Sequence, residues 1–120
     1  MEERRRFSRI GCDEVVIATI AGESLIARML DISLKGALIR FPDDLTVNIG
    51  DSCRMRLRLR DSDIFLDFRG EIVHRHGCMA GVRFGRLDID TMIHLRSLME
   101  ARSSDPLKIS EEVLSLADSF

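Results

Sequence analysis

The N-terminal segment concentrates side chains that bind anions. Residues 1–10 hold four arginines against two glutamates, and Arg5 and Arg9 form an R-x-x-x-R arrangement. A guanidinium group offers phosphates a planar fork of N–H donors and offers bases a flat stacking face. Two such groups on one segment can therefore hold a phosphate and a base together. A solvated run of charge without a ligand is the alternative.

A second set of candidate residues lies in the sequence DISLKG, residues 31–36. The Asp31 carboxylate can accept hydrogen bonds from the N1 and N2 donors of guanine, and the Ser33 hydroxyl can both donate and accept. Gly36 permits a positive φ or a close approach of the backbone. Because Asp, Ser and Gly are also common turn residues, a plain turn is the alternative.

Alternating apolar and polar residues predict the strands that position these groups. The clearest strand is Cys53–Arg60, in which four arginines face one side and Cys53, Met55, Leu57 and Leu59 face the other. Gly70 predicts a bulge or a sharp bend within the fifth strand, whose residues Ile64, Leu66, Phe68 and Ile72 are expected to point inward. Five further strands are predicted over residues 14–20, 24–30, 36–41, 64–75 and 78–84.

After Leu87 the apolar period becomes helical. Apolar residues from Ile89 to Met99 predict a helix that is capped by Asp88 or Asp90 and ends near residue 103. A short second helix is predicted over residues 110–117. The sequence therefore predicts a mainly β protein, a six-stranded antiparallel β-barrel with a C-terminal helix and a short helical tail.

Length and composition indicate one domain with appendages. We interpret residues 1–13 of the 120-residue chain as a flexible arginine-rich arm, residues 14–102 as the barrel with its packed helix, and residues 103–120 as an acidic tail. Sixteen of the eighteen basic residues are arginines. Three scattered cysteines, no secretory signal and no apolar run of about 20 residues favour a cytoplasmic protein without membrane insertion.

Enzyme signatures are missing from the sequence. There is no glycine-rich phosphate loop, no nucleophile elbow and no zinc-protease motif, so we interpret the protein as a non-enzyme. His74, His76 and Cys78 would share a face of an extended strand, which is a spacing that a metal site can use. Gly77 interrupts that strand and no fourth ligand is nearby, so no metal site is predicted.

The two polar motifs together resemble those of the PilZ family, whose members bind the bacterial messenger cyclic diguanylate (c-di-GMP). R-x-x-x-R precedes the first strand and D-x-S-x-x-G lies between the second and third strands, while GVRF and HLRSLM near the end add to the likeness. The resemblance implies that Arg5 and Arg9 grip phosphate and guanine. It also implies that Asp31 and Ser33 hydrogen-bond guanine and that Gly36 lets the turn fit beneath the ligand.

The resemblance carries three further implications. Arg4 stands where an arginine favours two intercalated messenger molecules. The chain has no Trp, so Arg75 is expected to stack in place of an aromatic residue, with Val73 and His74 near the same position. The messenger would be a ligand rather than a cofactor. A separate hypothesis rests on charge: residues 1–10 carry a net +2 and residues 103–120 a net −3, so messenger binding would rearrange arm and tail and signal to an unidentified protein partner. Motility and biofilm control are functions associated with the family.

Two other functions stay open at this point. A small nucleic-acid-binding barrel could use Arg54, Arg56, Arg58 and Arg60 as a stripe along a phosphate backbone, but the absence of Tyr and Trp and the isoelectric point near 5.9 disfavour it. A ligand-independent adaptor that binds only protein is disfavoured by the intact pair of motifs.

Overall fold

The computed structural model describes residues 7–42, 47–58 and 62–117, with side chains as far as residue 114. Six antiparallel strands close into a barrel in the order β1-β2-β3-β6-β5-β4, and two helices follow, so the predicted fold class is confirmed. The elements are β1 (Ile10–Ile20), β2 (Glu23–Ile32), β3 (Gly36–Arg40), β4 (Ser52–Arg58), β5 (Phe65–His76), β6 (Met79–Phe84), α1 (Ile89–Arg102) and α2 (Pro106–Ala117).

Strand β1 begins at Ile10, earlier than the predicted start at residue 14. Ile10 pairs with Ile32 and Gly11 with Asp31, and the register then shifts between Gly11 and Glu14. An irregularity of this kind breaks the two-residue period of a strand. The apolar alternation that predicted the later part of β1 therefore did not extend to its first residues. Residues 10–13, which were predicted to belong to the arm, are part of the first strand of the barrel.

The barrel core is built from the inward positions of the alternating strands. In β4, Cys53, Met55 and Leu57 are at most 3% exposed, as their alternation predicts. Ile64 was expected to point inward, but this prediction is wrong, because β5 begins only at Phe65 and Ile64 is 39% exposed. The fully buried residues of β5 are Leu66, Phe68 and Ile72. Leu59 and Arg60 lie outside the described residues.

Helix α1 starts where the sequence predicts. The Asp88 carboxylate accepts a hydrogen bond from the Thr91 backbone N–H at 2.7 Å and so caps the first turn. Ile89 and Ile93, which belong to the predicted apolar stripe, are 74% and 54% exposed. The stripe that meets the barrel is therefore narrower than the sequence suggests, and it consists of Met92, Leu95 and Met99.

Helix α2 begins at Pro106, before the predicted start at residue 110. Proline suits the first helical position because the N–H that it lacks would have no partner there. Ile109 is fully buried in the core cluster, so α2 is docked on the rest of the domain. Among the described residues, no helix is long and apolar enough to cross a membrane.

Candidate functional site

Ser33 organises the turn between β2 and β3. Its backbone N–H donates to the Gly36 carbonyl oxygen at 2.8 Å. Its Oγ accepts from the backbone N–H groups of Lys35 at 3.2 Å and Gly36 at 3.1 Å. Ser33 is 8% exposed. The polar atoms of Ser33 are thus engaged in the turn itself, which fixes the backbone that follows Asp31.

Gly36 lets β3 lie close to β6. Its φ is not positive, and a Cβ at this position would overlap the Val82 carbonyl oxygen. Gly70 has the same role in β5, because a Cβ there would overlap the Arg83 carbonyl oxygen. A bulge or a sharp bend was predicted at Gly70, but the register shift of β5 lies after Ile72 instead. Both glycines are therefore required by the spacing between strands.

Arg9 and Asp31 bring the two sequence motifs together at one corner of the barrel. The Arg9 Nη2 group donates to the Asp31 Oδ1 atom at 3.1 Å, and the two side chains are 35% and 23% exposed. Half-exposed ion pairs of this kind contribute at most about 1 kcal/mol. Replacing this ion pair with contacts to a ligand would therefore cost little free energy. Arg4 and Arg5 lie outside the described residues.

A row of outward-facing positions runs across the sheet from this corner. Strand register places Asp31 beside Gly11 on β1 and Leu38 on β3, and continues through Gly81 on β6 to His74 on β5. The two glycines carry no side chains, and the His74 imidazole lies over Gly81. The row thus has the Arg9–Asp31 pair near its β1 end and the His74 imidazole, which covers Gly81, at its β5 end, with the Leu38 side chain between them.

Arg75 lies at the end of β5, where its Nε donates to the Gly77 carbonyl oxygen at 3.2 Å. The register places His74, rather than Arg75, in the row that contains Asp31. The ligand-binding role of Arg75 stays a prediction. Leu38 and Gly81 were not identified from the sequence, although the two-residue period of their strands places both on the outer face.

The described part of the arm contacts the folded domain at two further points. The Phe7 ring lies 5.7 Å from the Lys35 ammonium group and packs against the core cluster. Ser8 donates its backbone N–H to Oε1 of Glu112 at 2.9 Å and its hydroxyl to Oε2 at 2.7 Å. Residues 7–9 are therefore held against both the β2–β3 turn and α2.

Cys12 lies behind the Arg9–Asp31 corner. Its Sγ donates to the Met29 carbonyl oxygen at 3.4 Å. Burial raises the pKa of this thiol to about 11, so it stays protonated at neutral pH. Cys12 therefore adds no charge beside Asp31 at neutral pH.

The arginine stripe of β4 is occupied by intramolecular contacts. Arg54 donates to both carboxylate oxygens of Asp67 at 3.1 and 2.7 Å, and this hydrogen bonding holds the pKa of Asp67 below its ordinary value. Arg56 lies 4.6 Å from the Phe65 ring centroid, and Arg58 donates to a backbone carbonyl oxygen at 2.8 Å. No group of three or more potential metal ligands is found in the described ranges.

Comparisons with solved structures identify the same fold. The PilZ domain of YcgR from Escherichia coli, solved with c-di-GMP, matches with a TM-score of 0.68 at 14% identity, over 98% of this chain and all of that one. The PilZ domain of CeSA from a cellulose-synthesizing bacterium matches with a TM-score of 0.59 at 13% identity, over 92% and 98%. The Bacillus subtilis inhibitor of motility MotI matches with a TM-score of 0.61 at 19% identity, over 78% of this chain and 48% of that one.

Sequence comparison identifies the family. No curated protein matches the chain. A family model described as PilZ domain matches residues 3–101, a span that contains both motifs, the whole barrel and nearly all of α1. PilZ domains are ligand-binding receptors rather than enzymes. Since the match covers most of the sequence and the barrel has the same fold as solved PilZ domains, the chain belongs to the PilZ domain family.

Proposed function

We propose that this protein is a receptor for c-di-GMP, which it binds at the corner formed by the R-x-x-x-R and D-x-S-x-x-G motifs. The contact between Arg9 and Asp31 carries the proposal, because it puts the groups that recognise phosphate and guanine within 3.1 Å of each other. The presence of c-di-GMP in the solved YcgR PilZ domain supports the choice of ligand.

The roles divide between charged and structural residues. Arg5 and Arg9 hold phosphate and guanine, and Asp31 accepts hydrogen bonds from the guanine N1 and N2 donors. Ser33 and Gly36 shape the turn beneath the ligand. This division follows from the exposure of Asp31 and from the intramolecular hydrogen bonds that already occupy Ser33.

Two arginines extend the site to a stacked pair of messengers. Arg4, directly ahead of the R-x-x-x-R motif, favours two intercalated molecules per chain, and Arg75 stacks on an exposed base at the far edge. Between Asp31 and the β5 end of the row, the Leu38 side chain and the His74 imidazole, which lies over Gly81, offer surfaces on which a base can stack.

The energetics are compatible with micromolar binding. Each hydrogen bond to a charged group contributes about 1.5–3 kcal/mol, and stacking on a base contributes about 1–3 kcal/mol. Ordering an arm costs about 1–2 kcal/mol per residue. These contributions together give an expected free energy of binding near −8 kcal/mol.

The protein is proposed to transmit its signal by contacting another protein rather than by catalysing a reaction. Ligand binding rearranges the arm and the acidic tail and so changes the surface offered to an unidentified protein partner in the cytoplasm, without nucleic acid or membrane insertion. The contact of Ser8 with Glu112 supports this route, because it connects the arm to α2 directly.

Calorimetric titration with c-di-GMP tests the proposal. The wild-type protein should bind with a stoichiometry of two messengers per chain, and Arg5→Ala and Asp31→Ala should each weaken binding by about tenfold or more, because each removes hydrogen bonds to a charged partner. Absence of binding at tens of micromolar messenger, or unchanged affinity in both variants, would refute the receptor function.

A further inference from the structure

Ser8 and Glu112 form the contact that links the most distant parts of the described chain. The backbone N–H and the hydroxyl of Ser8 donate to the two carboxylate oxygens of Glu112, at 2.9 and 2.7 Å. Glu112 is 6% exposed. A buried carboxylate needs its hydrogen bonds, because an unpaired buried charge is strongly unfavourable. The position of α2 therefore depends on where Ser8 lies.

Ser8 belongs to the segment that is proposed to hold phosphate. It stands between Arg5 and Arg9 in the R-x-x-x-R motif, and the Arg9 guanidinium lies at the Asp31 corner. A backbone N–H and a hydroxyl on the same residue make a pair of donors that suits an oxyanion with two oxygens. In this structure the Glu112 carboxylate is that oxyanion.

We propose that Ser8 is a phosphate-binding residue whose two donors are occupied by Glu112 until a phosphodiester group of the messenger displaces it. This inference rests on the proposed receptor function and extends it to a residue and a regulatory contact. A phosphate and a carboxylate are both anions and compete for the same two donors. Ligand binding and the docking of α2 are thus mutually exclusive at Ser8.

Displacement of Glu112 has a structural consequence. Deprived of Ser8, the carboxylate is left without these partners in a buried position, which favours movement of α2 away from its site. On the α1 side of α2, the Ser110 hydroxyl donates to Glu100 at 2.8 Å and accepts from Arg96 at 3.1 Å, and neither contact involves Glu112. Movement of α2 would uncover the apolar residues now buried around Ile109.

Glu112→Gln tests the competition, since it keeps the shape of the side chain and removes its charge. Coupling between sites typically changes affinity by about 5–150-fold, so Glu112→Gln should bind c-di-GMP at least about fivefold more tightly than the wild type. Ser8→Ala in the Glu112→Gln background should weaken binding by about tenfold, because a hydrogen bond to the phosphate is lost. Glu111→Gln, the same charge change at the exposed neighbouring position, should bind like the wild type.

The outcomes separate this inference from the receptor function. If the wild type binds and Glu112→Gln binds equally or more weakly, or if Ser8→Ala is without effect in the Glu112→Gln background, the competition does not exist. If neither the wild type nor Glu112→Gln binds c-di-GMP, the receptor function itself fails and the inference with it.

Hydrogen exchange on the wild-type protein gives a readout that needs no variant to fold. Amides of α2 after Pro106 should exchange faster when the protein is saturated with c-di-GMP, while those of β4 should stay protected. Unchanged or increased protection of α2 at saturation would overturn the inference.

Discussion

Replacing Gly36 with alanine should destabilise the barrel rather than merely remove a ligand contact. Gly36 pairs with Arg83, and an alanine Cβ would overlap the Val82 carbonyl oxygen, which belongs to the backbone and has no rotamer with which to move aside. Overpacking of this kind costs about 1–3 kcal/mol. Alanine also has less conformational entropy than glycine in the unfolded chain, which favours the folded state by about 0.4–1 kcal/mol. The net loss should be about 1–2 kcal/mol, which lowers Tm by about 3–10 °C in a domain of this size.

Gly11 provides the matched control. It lies on β1, where an added Cβ meets nothing within 4 Å, and its φ is not positive. Gly11→Ala should therefore leave stability unchanged or raise it by up to about 1 kcal/mol. Urea denaturation and thermal melts of both variants, followed by circular dichroism in the absence of messenger, measure the difference. A Gly36→Ala protein as stable as Gly11→Ala would refute the argument that β3 and β6 require a glycine.

Two further predictions concern charged contacts. Arg9→Ala removes a half-exposed ion pair, so it should change the free energy of unfolding by less than about 1 kcal/mol yet weaken c-di-GMP binding about tenfold. Arg54→Ala, which breaks a comparably exposed pair with Asp67 on β4 and β5, should leave that affinity unaltered, and an equal loss in both would contradict the site assignment. Hydrogen bonds from Arg96 and Ser110 lower the pKa of Glu100 below its ordinary 4.5, so their stabilisation is complete above that pH and lost as pH falls through the lowered value. Glu100→Gln should flatten this part of the acid-unfolding curve, and an unaltered curve would show that the contact does not stabilise the fold.

Periodicity predicted the barrel because each strand has one buried face and one wet face. The alternation of β4 is regular, and its inward side chains are buried as expected. The wrong predictions concern residues at which a strand's alternation is interrupted or has not yet begun, or at which tertiary packing decides burial. The register shift after Gly11 hides the start of β1, and Ile64 precedes its strand. Ile89 and Ile93 share a helical stripe with Met92, but which part of a stripe meets the barrel is decided by tertiary packing, which the sequence does not specify.

The candidate site was predicted only in part for a related reason. Turn chemistry and the family resemblance predicted Asp31, Ser33 and Gly36 as site residues, and a side-chain hydrogen bond joins Arg9, just ahead of β1, to Asp31. The predicted helix over residues 110–117 would place Glu112 in its first turn. Because α2 starts at Pro106, Glu112 instead lies in mid-helix and faces Ser8. That contact joins residues 104 positions apart, and no local pattern encodes it.

The D-x-S-x-x-G motif combines two physically different requirements. Ser33 and Gly36 are required by the fold. Ser33 closes the β2–β3 turn through its own hydrogen bonds, and Gly36 leaves room for the backbone of β6. Within the described ranges, the Asp31 side chain forms a partly exposed ion pair with Arg9. Substitutions of Ser33 and Gly36 should therefore lower stability as well as affinity, whereas those of Asp31 and Arg9 should act mainly on affinity. A site whose binding groups contribute little to folding can exchange its internal partners for a ligand without destabilising the barrel that carries them.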